Sequence, residues 1–186
     1  GHAIVGYECK ESDPLHKISI VSRGQALGVT WFLPKEDQFT TSKTKFLDEI
    51  CGLLGGRAAE ELIFNERTTG ASNDIERASA IARNMATRYG MGEGELGPVA
   101  YGEKQGSSHL GADLGMTRNY SEEKAKQIDS FVKKTVETQY ARALGILKKK
   151  KAKLEKLTTV LLKTETMTVE EFKEIYTGKK AAKKKA

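Results

Sequence analysis

Apolar positions change their period several times along the chain, and each change predicts an element. Ala3, Ile4, Val5 and Tyr7 cluster tightly and read as a buried helical segment over residues 2–9, which Asp13-Pro14 breaks. Ile18 and Ile20 then alternate with Ser19 and Val21, and Val29, Trp31 and Leu33 alternate with Thr30 and Phe32. A period of two predicts two strands, joined around Arg23-Gly24-Gln25 by a hairpin or a longer connection, with Pro34 ending the second.

From Ser42 the spacing becomes helical: Phe46, Ile50, Leu53/Leu54, Ala58 and Leu62 share one face of a helix that ends near Phe64-Asn65. Gly55-Gly56 falls in its middle, where each glycine costs about 1 kcal/mol against alanine. The compensation expected is close approach of another backbone. A further helix carries Ile75, Ala78, Ile81/Ala82, Met85 and Tyr89, with Asn73 and Glu76 spaced as a capping box and Gly90 as its stop. Residues 90–118 are glycine-rich and poor in apolar residues, which predicts a long loop. Ser121 caps a long helix with the stripe Ile128, Val132, Val136, Tyr140, Leu144 and Leu147. A break near the lysines of 148–151, a helix through Leu154, Leu157 and Leu161, and a capping box of Thr168 with Glu171 before a final short helix complete the pattern. The fold class expected is mainly α with a small N-terminal β-sheet.

Composition narrows the picture in two respects. The formal charge of +6 invites a nucleic-acid partner, but five lysines lie in the last eight residues, and without them the charge falls to +1. The chain therefore divides into a domain over residues 1–177 and a Lys-rich tail over 178–186 expected to be disordered, and no nucleic-acid partner is expected. Cys9 and Cys51 form no C-x-x-C and are expected to be buried free thiols. No apolar run approaches the ~20 residues of a membrane span.

Candidate chemistry is sparse. The histidines are His2, His16 and His109, and neither a G-x-S-x-G nor a G-x-x-x-x-G-K-[ST] pattern occurs. One stretch, TGASNDIERA, delivers Asn73 and Asp74 to a helix start, where the dipole and free N–H groups favour a carboxylate. Local pattern leaves two readings of Asp74: a capping group, or a rigidly placed ligand for a metal.

Five segments in series carry a resemblance: GHAIVGY, DPLHKISIVSRGQALGVTWFLPKED, GLLGGRAAEELIF, TTGASNDIERASAIARNMATRYGM and LGPVAYGE. Over about residues 1–176 the chain resembles the peptidase domain of FtsH-type, membrane-anchored AAA+ zinc metallopeptidases. That family's metal motif is H-E-x-x-H, whose two histidines one helical turn apart grip Zn²⁺ while the glutamate acts as general base. The resemblance implies that Gly1-His2 are the last two letters of this motif, so that the first histidine and the glutamate stand outside the chain. It further implies that His2 and Asp74 are metal ligands. Glu60 or Glu61 would hydrogen-bond a ligand histidine, against a bland reading as a solvated helix face. His16 would be structural, and no role maps onto His109. Leu27, Gly28, Val29 and Thr30 would form the strand whose edge pairs with substrate. The implied cofactor is Zn²⁺, with ATP and Mg²⁺ confined to an ATPase module outside these residues. The implied partners are copies of itself in a hexameric ring and unfolded polypeptide substrates. The implied location is a membrane-anchored parent with the peptidase on the cytoplasmic side, an organellar inner membrane or thylakoid being open. Lacking the glutamate, the chain alone is expected to be inactive; the alternative is a non-catalytic oligomerisation or scaffold module.

Overall fold

A computed structural model of the chain describes residues 1–22, 28–34, 39–102 and 119–178. Its first element, α1 (His2–Glu8), has no side-chain cap and only seven residues, too few for a helix to persist alone. It holds because Ala3, Ile4 and Val5 are buried against later helices. Strand β1 (Leu15–Ser19) follows, then the antiparallel β2 (Val29–Phe32).

β2 keeps the alternation expected, with Val29 and Trp31 exposed and Thr30 and Phe32 half-buried, whereas β1 departs from it. Leu15 and Ile18 are the buried pair of β1, and a register shift between Leu15 and Lys17 turns both inward, so Ile20 and Val21 fall beyond the strand and are exposed. Nor is the sheet confined to the N-terminus. A third strand, β3 (Thr166–Thr168), pairs antiparallel with β1 on the side opposite β2, giving the order β2-β1-β3. Three residues carry no periodic signal; β3 exists because Met167, opposite Ile18, is buried with it in the core.

Ser42, from which helical spacing was expected, caps α2 (Lys43–Leu53). The chain then breaks at Leu54 and restarts as α3 (Gly55–Phe64), so Gly55-Gly56 begins a helix instead of lying within one. Asn65 ends α3 in the left-handed conformation. A 3₁₀ turn (Thr69–Ala71) runs directly into α4 (Ser72–Thr87). The Asn73–Glu76 capping box does not form: Thr68 caps the turn one step earlier, and Asn73 already lies inside the helix.

Ser121 caps α5 (Glu122–Lys149), and the chain breaks at Lys150 before α6 (Lys151–Thr164). The buried stripe of α5 is Ile128, Phe131, Thr135, Gln139, Ala143 and Leu147: its ends are the expected ones, and between them it runs one position ahead of the expected stripe. Val132, Val136, Tyr140 and Leu144 flank it, half-buried. α5 faces two separate clusters. The Thr168–Glu171 capping box opens α7 (Val169–Thr177) as expected. Residues 179–186 lie outside the described residues, so the tail carries no structural account.

α2 and α5 join the two clusters. One gathers α1, β1, β3, α6 and α7; the other packs Ala78, Ala82 and Met85 of α4 against Ile50 and Ile128. At the junction Asp48 of α2 is 1% exposed. Its carboxylate accepts from the Glu11 backbone N–H (2.8 Å) and from Arg142 Nη1 of α5 (2.6 Å). Cys9 and Cys51 lie beside it, both buried and free.

Removing the arginine leaves a carboxylate in the core with one partner fewer. Arg142→Met is expected to destabilise the fold by about 2–3 kcal/mol, less than a fully buried pair because Arg142 is partly exposed. The urea midpoint measures it; Asp48→Asn with Arg142→Met should recover part of the loss.

Candidate metal centre

Four elements meet at His2. It is the first residue of α1, and its Nδ1 lies 2.9 Å from the carbonyl oxygen of Gly52, in the last turn of α2. A carbonyl can only accept, so Nδ1 carries the proton and donates. In the neutral ring that leaves the lone pair on Nε2. Nε2 points at Asp74, 3.3 Å from Oδ2. Asp74 belongs to the first turn of α4, where the N-terminal dipole favours its charge. Both side chains are about a third or less exposed, at 33% and 27%.

The fourth element is α3. Its first residues press against the start of α1: a Cβ on Gly55 would lie 3.1 Å from the Gly1 carbonyl carbon and from His2 Cα. A Cβ on Gly56 would clash with the His2 imidazole, nearest its Nε2. The close approach expected from this glycine pair is present, and the backbone it admits is that of His2 itself.

Neither acidic neighbour reaches His2. Glu60 accepts from the Thr68 hydroxyl (2.5 Å) and from Arg57 (3.0 Å). Glu61 accepts from Tyr140 (2.6 Å) and from Arg67 (2.8 Å). The partner of His2 Nδ1 among the described residues is the Gly52 carbonyl. The reason is positional: the break at Leu54 places the end of α2 under the ring, whereas Glu60 and Glu61 turn toward Thr68 and α5. These bonds hold both carboxyls below their ordinary range, and burial with the Glu61 bond pushes Tyr140 up to about 12.

Leu27 and His109 lie outside the described residues. Gly28 runs close to β1, where a Cβ would meet the Ser19 carbonyl oxygen at 2.8 Å. Val29 and Thr30 are in β2, whose outer edge has no strand neighbour among the described residues. The Phe32 ring covers Gly6, anchoring β2 on the same helix that carries His2. His16, in β1, is exposed and stacks on Trp31 of β2 with ring planes 11° apart. Among the described residues no cluster of three His, Cys, Asp or Glu side chains could hold a metal, so the centre here is a pair. Sequence reasoning missed the Gly52 carbonyl, because a backbone acceptor has no signature of its own.

The pair spans 72 positions of sequence yet closes to 3.3 Å, with each member at a helix N-terminus. A family model, described as peptidase family M41, matches residues 1–175. The chain belongs to peptidase family M41. It is 47% identical over 96% of its length to the ATP-dependent zinc metalloprotease FtsH 1 of Thermoanaerobacter sp. (strain X514), covering 29% of that protein. It is 49% identical over 94% of its length to FtsH 3 of Symbiobacterium thermophilum, covering 28% of it. With FtsH of Thermotoga maritima the identity is 47% over 94% of the chain and 29% of the relative. This M41 chain thus spans under a third of the relatives it matches, and in its described residues no helix is long and apolar enough to cross a membrane.

Two outcomes follow for this M41 site. Gly56→Ala should displace the His2 ring, and a histidine-observed NMR spectrum should lose the signature of the Nδ1–Gly52 bond while the fold persists. Tyr140 is neutral when protonated and its folded value lies above the ordinary 10, so its stabilisation is full below pH 10 and is lost as pH rises toward about 12. Tyr140→Phe should lower stability at pH 8 by about 1–2 kcal/mol and flatten that alkaline decline in urea titrations.

Proposed function

We propose that this chain is the proteolytic part of an ATP-dependent zinc metalloendopeptidase, with His2 and Asp74 as two of its zinc ligands. The observation that carries the reading is the His2–Asp74 geometry. Zinc bound tetrahedrally at about 2.1 Å from two donors separates them by about 3.4 Å, and the observed separation is 3.3 Å. The donor chemistry also fits: an imidazole fixed by a carbonyl at Nδ1 presents Nε2, and an ionised carboxylate faces it. When bound, zinc polarises a scissile carbonyl and activates water for attack.

The chain's own residues supply position and access. Gly56 leaves room for the ring, Gly52 fixes its tautomer, and the first turn of α4 carries Asp74 to it. In this reading the H-E-x-x-H motif places the other histidine and the general-base glutamate immediately ahead of Gly1. The edge of β2, at Gly28, Val29 and Thr30, would hydrogen-bond an extended polypeptide through its backbone, which suits unfolded substrates of varied sequence. The names of the relatives describe ATP-dependent enzymes. By extension, ATP and Mg²⁺ would act in a separate module, with the peptidase parts in a hexameric ring on the cytoplasmic side of a membrane anchor.

Zinc content and chelator-sensitive casein cleavage test this, measured on the chain and on a version with His-Glu-Ala added ahead of Gly1. The extended form is expected to hold one zinc and to cleave; the 186-residue chain is expected to bind zinc weakly and not to cleave. Unchanged zinc affinity in Asp74→Ala would remove Asp74 from the ligand set.

A further inference from the structure

The turn that delivers Asp74 is tied back to α3 by its own polar contacts. Arg57 and Glu60 stand three residues apart on α3, with side chains 14% and 21% exposed. Arg57 donates through Nη1 to Glu60 Oε2 (3.0 Å) and through Nη2 to the Thr68 carbonyl (2.7 Å). The Thr68 hydroxyl donates to Glu60 Oε1 (2.5 Å) and accepts from the Gly70 N–H (3.2 Å). Thr68 is thus gripped on both sides of its backbone while it caps the 3₁₀ turn that continues into α4.

We propose that Arg57, Glu60 and Thr68 form a latch that sets the reach of Asp74 toward His2, each acting as a positioning residue for the metal centre. The reason lies in what holds α4. Its buried residues, Ala78, Ala82, Met85 and Ala86, begin four positions after Asp74 and fix the body of the helix. Its first turn has no side-chain cap of its own, and ahead of it only Ala71 of the 3₁₀ turn is buried. Packing holds the first turn through Ala71 and the half-buried Ile75, and the capped Thr68 sets how the chain enters it. His2 is referenced to the same helix, because Gly55 and Gly56 seat α1 on α3. Both members of the pair are measured from α3, one by glycine contact and the other by the latch. A ligand set must be held within about 0.5 Å, and hydrogen bonds behind ligands typically carry 10–100-fold of metal affinity.

This rests on reading His2 and Asp74 as zinc ligands, and the test separates the two ideas. Zinc affinity is measured on the version with His-Glu-Ala added ahead of Gly1, by competition with a chromophoric chelator, alongside the visible absorption of bound Co²⁺. Thr68→Val and Arg57→Lys should each weaken zinc about tenfold or more and shift the Co²⁺ bands. Thr68→Ser, which keeps the hydroxyl, should restore both. Gly70 amide exchange in the metal-free chain should quicken in Thr68→Val, with the urea midpoint little changed. Wild-type zinc affinity and Co²⁺ bands in Thr68→Val overturn the latch, as does lost affinity with the Gly70 amide still protected. If this extended form binds zinc no better than its His2→Ala variant, the ligand reading itself fails and the latch falls with it.

Discussion

The contact between the start of α1 and the start of α3 is the constraint on which the rest of the arrangement depends. Two helix termini meet where Gly55 and Gly56 offer no Cβ; the backbone of Gly1 and His2 fills the space beside Gly55, and the His2 ring that beside Gly56. Had either glycine carried a side chain, α1 would stand further out. His2 would then lose the Gly52 carbonyl and its approach to Asp74. The glycines cost helix propensity, about 1 kcal/mol each inside a helix. The break at Leu54 reduces that cost by placing them in a first turn.

That break also accounts for the ring's orientation. Carbonyls in the last turn of a helix lack their usual amide partner four residues on. The Gly52 carbonyl is one of these, and it receives the Nδ1 proton of His2. One interruption in a helix therefore does two things: it supplies an acceptor beneath the imidazole, and it opens a second helix whose bare first turn lets the imidazole in. The buried Asp48, bridging α2, α5 and the residues after α1, holds α1 and α2 in the same frame.

Much of the fold was legible along the chain because it rests on local signals. Ser121 and Thr168 cap the helices they were expected to cap, and the break between α5 and α6 falls within the lysine run. The misses share a cause. β3 is too short to show a period, and its existence follows from burial of Met167 against Ile18. The bulge in β1 and the rotated stripe of α5 depend on which neighbours arrive, as does the cap at Thr68 in place of Asn73. In the candidate site, His2 and Asp74 were named through resemblance, because a lone histidine and a helix-start aspartate are locally ambiguous.

The sequence by itself determined the helical character of the chain, the positions of its main caps and breaks, and the family to which it belongs, because propensity, periodicity and motif order are written in neighbouring residues. Only the tertiary structure decided that His2 donates to a backbone carbonyl, that Glu60 and Glu61 turn toward Thr68 and Tyr140, and that Asp74 comes within 3.3 Å of an imidazole 72 residues away. Those outcomes depend on distances between elements, and such distances are set by packing and close backbone approach, which no run of adjacent residues encodes.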